Sequence, residues 1–199
     1  MDIKDKYDTV ALSATAAEGF YSEKRSKFYA FALHVETEEE VKNAVQSWNK
    51  QYHDARHVCW ACVLGPDGQY TRTADAGEPG GTAGTPILSQ IVKNGLTDTL
   101  VIVVRYFGGV KLGTGPLAVA YRTAAADALG HATVETRFVE EQVVFEFPYV
   151  MMNSVMRVVK EMKPRIVSQD FDNTCRITLA IRASEAAQLR SRLDALAFE

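Results

Sequence analysis

"VVRYFGGVKLGTGPLAVAY" (Val103–Tyr121) runs an apolar stretch into an arginine, two aromatics and a glycine-rich turn, then into a second apolar stretch. Together with the preceding "TLVI" the first part does not alternate, which predicts a strand covered on both faces. Pro116 fits the start of a helix, Leu117, Tyr121 and Leu129 continue it, and Gly130 closes it. The segment therefore reads as strand, loop, helix, the repeating step of a mixed α/β fold.

The loop carries Gly108, Gly109, Gly113 and Gly115 between two cations, Arg105 and Lys111. Glycines here free several backbone N–H groups to face one spot. The helix start beyond adds roughly half a positive charge. This is the physics of a phosphate or carboxylate site. Two familiar templates fail: Thr114 stands where a P-loop needs lysine, and no placement of the glycines gives the dinucleotide fingerprint. A tight turn whose glycines only solve a backbone problem explains the same residues, so both readings stand.

A second loop, "TRTADAGEPGGTAGTP", offers Arg72, Asp75, Glu78 and Thr82 ahead of another helix. Thr85 is read as its N-cap, Pro86 as its first residue and Gly95 as its stop. Acidic residues near a helix start serve the dipole, but Asp75 lies ten residues before that cap and is poorly explained so. Two flexible loops entering two helix starts of one domain are expected side by side.

"HDARHVCWAC" places His57 at the entry of a strand. Cys59 and Cys62 are three apart, so on a strand they face opposite sides and make a poor metal or redox pair. A Cys59–His57 nucleophilic pair, or a metal on His57, Asp54, Asp75 or Glu78, lacks any orienting partner in the sequence. No metal set, no cofactor motif and no catalytic constellation is recognisable.

Further out, "FYAFALHV" alternates, with Tyr29, Phe31, Leu33 and Val35 on one face and Phe28, Ala30, Ala32 and His34 on the other. "TVALSAT" is expected to pair with it through "AAEGFYSEKRSK". A helix follows, with Thr37 and Glu40 at capping-box spacing. Beyond "VETRFVEEQ" the order is β-α-β-β-α, that of a ferredoxin-like unit lacking its last strand. Ile177, Leu179 and Ile181 are to face inward there. Arg157, Lys160, Lys163 and Arg165 make a basic stretch whose usual meaning is a solvated helix face.

At 47% hydrophobic and 24% charged residues, with a net charge of -3, the 199-residue chain falls in the soluble globular class, and any polyanion binding must come from a local patch. No run approaches the roughly eighteen apolar residues of a membrane span, and "MDIKDKYDTV" has no signal-peptide core. Three cysteines suggest reduced thiols and a cytoplasmic location.

Three segments, "DARHVCWA", "DAGEPGGTAGTPIL" and "VVRYFGGVKLGTGPLAVAY", together resemble the signatures of the YigZ/IMPACT family, bacterial two-domain type, over Arg25 to Leu129. The resemblance implies an α/β (α+β) chain of two domains. Residues 1–136 would be a βαβ-type domain similar to the second domain of a small-subunit ribosomal protein. Residues 137–199 would be the ferredoxin-like domain, similar to the last domain of elongation factor G. It further implies a translation link, since eukaryotic relatives regulate translation through a stress-kinase pathway. By position the family residues kept are His57, Asp75, Glu78, Thr82, Arg105, Lys111 and Tyr121. The chain departs at Val58 (usually Asn), Ala76 (a second Asp), Gly80 (Ser), Pro116 (Gly) and Val119 (Arg).

The expected function is a binding or regulatory protein holding RNA backbone or another anionic ligand at the glycine loops, with translation factors, the ribosome or a phosphate-containing small molecule as partners. Its rivals are an enzyme using Asp75 or Glu78 as general base on a phosphorylated compound, and a protein-interaction module.

Overall fold

The computed structural model describes residues 5–13, 15–171 and 174–196. Tyr7–Arg137 forms one compact unit; the described residues from Phe138 onward, with Asp5 and Lys6, form a second.

The larger unit is built on a five-stranded sheet. Its strands are β2 (Ala17–Glu23), β3 (Ser26–His34), β4 (His57–Leu64), β5 (Tyr70–Ala74) and β6 (Thr99–Tyr106). The order is β2-β3-β6-β4-β5, with every neighbour antiparallel. β6 is central, and Leu100 through Val104 have no exposed surface. Burying each such side chain contributes about 1.5–3 kcal/mol, so a single charge at Val103 would break the sheet's middle. Helix α1 (Glu38–Gln51) covers one face, packing Val41, Ala44, Val45, Trp48 and the following Tyr52 on Phe31, Leu100 and Ile102. The opposite face carries α2 (Gly84–Lys93) and α3 (Thr114–His131), packed on Phe28, Ala30, Val101 and Val103. The two faces of β3 separate as the alternation predicts, and Thr37 and Glu40 close a complete capping box on α1.

Three sequence expectations give way. The described residues of "TVALSAT" (Ala14 lies outside them) do not pair with β3; instead β1 (Lys6–Val10) joins β7 (Val134–Phe138) in a separate two-stranded sheet. The segment read as a connection is the partner: β2 runs back along β3 through a two-residue turn at Lys24 (φ 45°) and Arg25 (φ 68°). Positive φ at both centres is the type I′ geometry that matches strand twist. Gly19 permits that strand, because a Cβ there would strike the backbone of Ala128 on α3. Finally, "YTRTA" ahead of the second loop is the edge strand β5, so the loop begins at Asp75.

The smaller unit holds β8 (Glu140–Phe147), α4 (Met152–Met162), β9 (Arg165–Phe171), β10 (Cys175–Arg182) and α5 (Ala183–Ala195). Its sheet order is β8-β10-β9, β10 lying antiparallel to both. Ile177, Leu179 and Ile181 pack on Val155, Val159, Leu189 and Leu193. Lys163 ends α4 in the left-handed conformation (φ 55°) ahead of Pro164. Arg165 pairs with Glu140, so of the basic stretch only Arg157 and Lys160 belong to α4. Among the described residues no helix is long and apolar enough to cross a membrane.

Candidate functional site

The two glycine-rich loops meet at the end of β6. Asp75, Ala76, Gly77 and Glu78 form a tight turn, closed by the Glu78 N–H donating to the Asp75 carbonyl (2.9 Å). Ala76 (φ 46°) and Gly77 (φ 88°) are its centres, a second type I′ turn. That geometry favours Asn, Asp or Gly at its first centre. Ala76 therefore fills this place under strain.

Past the turn, the Glu78 side chain is buried, its side chain only 4% exposed. Its Oε1 accepts from Arg105 Nη1 at 2.6 Å and from the Tyr121 hydroxyl at 2.7 Å. Arg105 comes from β6 and Tyr121 from α3, both buried. The second oxygen faces His57 Nε2 of β4 at 3.7 Å. His57 Nδ1 lies 2.8 Å from the Ala76 carbonyl; a carbonyl only accepts, so that nitrogen carries a proton. Glu78 thus ties one loop to β4, β6 and α3. Arg105 is held further by Ser26 Oγ (3.5 Å) and by the rings of Phe28 and Phe107, 5.5 and 5.8 Å from its guanidinium carbon.

Asp75 is turned the other way. Its Oδ2 accepts from the Gly81 N–H, and its Oδ1 from those of Ala83 and Gly84 (2.8, 3.0 and 2.8 Å). Burial works against its charge, but these three donors outweigh it and hold the carboxyl below the usual range. Asp75 is therefore the N-terminal cap of α2. Thr85 is already in the helix, whose N-cap residue Ala83 has no side-chain bond to offer. Sequence distance hid this role, because the loop folds back on itself. Thr82 serves the same loop, bonding the Pro79 carbonyl through both its amide and its hydroxyl.

Cys59 and Cys62 point to opposite faces of the sheet, one into each core. Burial, against the pull of its bond to Tyr121, pushes the Cys59 thiol up to about 12, so it is no nucleophile. Burial first, then the neighbouring Cys59 and Glu78, raises the Tyr121 hydroxyl well above its ordinary value and keeps it a neutral donor. Among the described residues no cluster of three or more His, Cys, Asp or Glu is gathered to hold a metal ion.

The glycines of the first loop differ in role. A Cβ on Gly108 would strike the backbone of Arg25 and Ser26, and its N–H donates to Ser26 Oγ (3.2 Å), so Gly108 lets the loop lie on the β2–β3 turn. Gly109 needs its positive φ of 88°. Gly113 is the N-cap of α3, where a Cβ would make only ordinary contact with Pro116 (3.7 Å), and Gly115 has open space around it. No side chain caps α3, which leaves its first amides to solvent or a ligand.

Between the loops lies a pocket of about 350 Å³ lined by Arg56, His57, Glu78, Pro79, Arg105, Phe107, Lys111, Leu112 and Leu117. With Glu78 neutralised by Arg105, its free charges are Arg56 and Lys111, both exposed and without an ion-pair partner among the described residues. Arg56 was missed in the sequence reading. Its signal was its place in "DARH", one residue before a strand whose first side chain faces the pocket.

Set against known proteins, residues 24–129 match the Impact N-terminal domain. The chain belongs to the IMPACT family. It is 31% identical over 172 residues to IMPACT family member YigZ of Escherichia coli K12, spanning 85% of this chain and 84% of that one. With IMPACT family member YvyE of Bacillus subtilis 168 it shares 41% over 113 residues, 57% of this chain and 52% of the relative. A crystal structure of a hypothetical protein matches at a TM-score of 0.77 and 29% identity, covering 95% of this chain and 91% of that one. Within the IMPACT domain the matched span contains the whole Glu78 cluster and both loops.

Proposed function

We propose that this IMPACT family member is a cytoplasmic, translation-linked binding protein whose pocket between the glycine loops holds phosphate groups of RNA. The observation that carries the reading is the division of charge. Glu78 and Arg105 satisfy one another in the wall, while Arg56 and Lys111 are left unpaired beside an uncapped helix start. Cations of this kind position a phosphate, and the amides around Gly113 and Gly115 supply further donors. The role of Arg105 shifts accordingly, from ligand contact to support. The motif resemblance adds the translation link, with the larger unit taken as similar to a ribosomal-protein domain and the smaller as a ferredoxin-like module similar to the last domain of elongation factor G.

A carboxylate base acting on a phosphorylated small molecule draws less support. Asp75 accepts three backbone bonds, and Glu78 is shared among Arg105, Tyr121 and His57. The test is equilibrium binding of labelled RNA between about 50 and about 200 mM salt. A steep loss of affinity with salt, shallower in Arg56→Ala/Lys111→Ala with the fold retained, supports the reading. A small phosphorylated compound that raises the melting temperature with little salt slope would favour the enzyme instead. Absence of either response would leave the interaction module.

A further inference from the structure

We propose that the RNA held at this pocket is single-stranded and that one unpaired base stacks on Phe107. This rests on the anion-binding reading above and adds to it the class of nucleic acid. Phe107, directly after β6, is 47% exposed, a large apolar surface for a residue flanked by Arg105 and Lys111. It stands between two hollows. One is the pocket of about 350 Å³; the other, of about 700 Å³, is lined by Asp54, Ala55, Arg56, His57, Ala76, Gly77, Tyr106 and Phe107. Arg56, His57 and Phe107 border both.

The ring is also backed. The Arg105 guanidinium lies 5.8 Å from its centroid, and that cation is fixed by Glu78 and by the Phe28 ring. The next residue, Gly108, is anchored to Ser26 Oγ. A supported aromatic, open to a hollow with small residues in its lining and with unpaired cations alongside, is the combination that binds single strands: a π-face for the base and positive charge for the backbone. Tyr106 is the poorer platform, because its ring packs against the core and meets Tyr29 edge to face, centroids 6.0 Å apart, with its hydroxyl tied to Asp54 at 2.8 Å. In a duplex the bases are stacked on one another and paired, so none is free to lie on the Phe107 ring, and only phosphate contact remains.

The test measures binding of the full chain to an unpaired RNA of about eight nucleotides, within the usual footprint of such sites. The comparison ligands are a blunt duplex of the same sequence and inorganic pyrophosphate. The single strand is expected to bind more tightly than the duplex. Phe107→Ala should weaken single-strand binding about 5- to 100-fold while leaving duplex binding and the salt slope as they are, and Phe107→Trp should retain the affinity. If Phe107→Ala does not fold, Phe107→Leu against Phe107→Trp decides, since leucine keeps bulk without a π-face. Equal binding by the wild type and the ring-deleted variants, with the salt slope intact, overturns the stacking and leaves the anion site standing. Failure of the wild type to bind any of the three ligands overturns both.

Discussion

Removing the carboxylate at position 78 is the sharpest perturbation the fold offers. In Glu78→Ala the guanidinium of Arg105, a residue 5% exposed, keeps a 3.5 Å contact to Ser26 Oγ and two aromatic rings, and its Nε is already without a hydrogen-bond partner. Leaving one member of a buried pair uncompensated costs about 3–5 kcal/mol, a large part of the roughly 5–15 kcal/mol that holds a domain together. Tyr121 loses its acceptor as well, since its hydroxyl donates to the same Oε1. Urea unfolding should show a midpoint lowered by about 2 M for a mid-range slope, with the slope itself unchanged. Replacing both partners, Glu78→Ala with Arg105→Met, should recover much of the loss, because removing a whole buried pair is often close to neutral. A single-variant cost below about 1 kcal/mol, the level of a surface bridge, would refute this reasoning. Arg105 would then be hydrated and free to meet a ligand itself.

Three further outcomes follow from the same geometry. Ala76→Gly should stabilise the larger unit by about 1 kcal/mol, read as a raised urea midpoint, because it relieves left-handed backbone at a residue bearing a Cβ; a neutral result would mean the turn carries no strain. Asp75→Asn tests the α2 cap by pH. The folded carboxyl lies below its unfolded value of about 3.9, so its stabilisation is full above that pH and is lost as pH falls through the folded value. The wild type should therefore lose stability in acid more steeply than the variant, and parallel curves would contradict the cap. Cys59, Cys62 and Cys175 are buried, and the Cys59 thiol is held up to about 12, so a thiol reagent at mildly alkaline pH should react only as fast as the chain unfolds; prompt labelling of the native protein would contradict this.

Local physics was legible where a pattern repeats or a cap is contiguous. The capping box of Thr37 and Glu40, the two-sided burial of β6 and the inward set of Ile177, Leu179 and Ile181 could all be read from the chain. The opposing faces of Cys59 and Cys62 followed from strand geometry alone. What stayed hidden depends on segments distant in sequence. β1 and β7 are short and pair across more than a hundred residues, and β2 carries a glycine and charges that read as a loop. Asp75 caps a helix nine residues on because the loop between them doubles back. Glu78 and Arg105 were both candidates, but nothing in their spacing said that each would consume the other's charge.

The loop after β5 also carries an unusual share of committed amides. Those of Glu78, Gly81, Thr82, Ala83 and Gly84 all donate within the loop, four of them to Asp75 (one to its carbonyl, three to its carboxylate), while the Glu78 side chain is fastened to three separate elements. Although it is irregular in shape, this segment should exchange its hydrogens for deuterium as slowly as the strands behind it. An incoming ligand would thus meet a rigid wall that cannot fold over it, so selectivity has to come from what fits the standing contour.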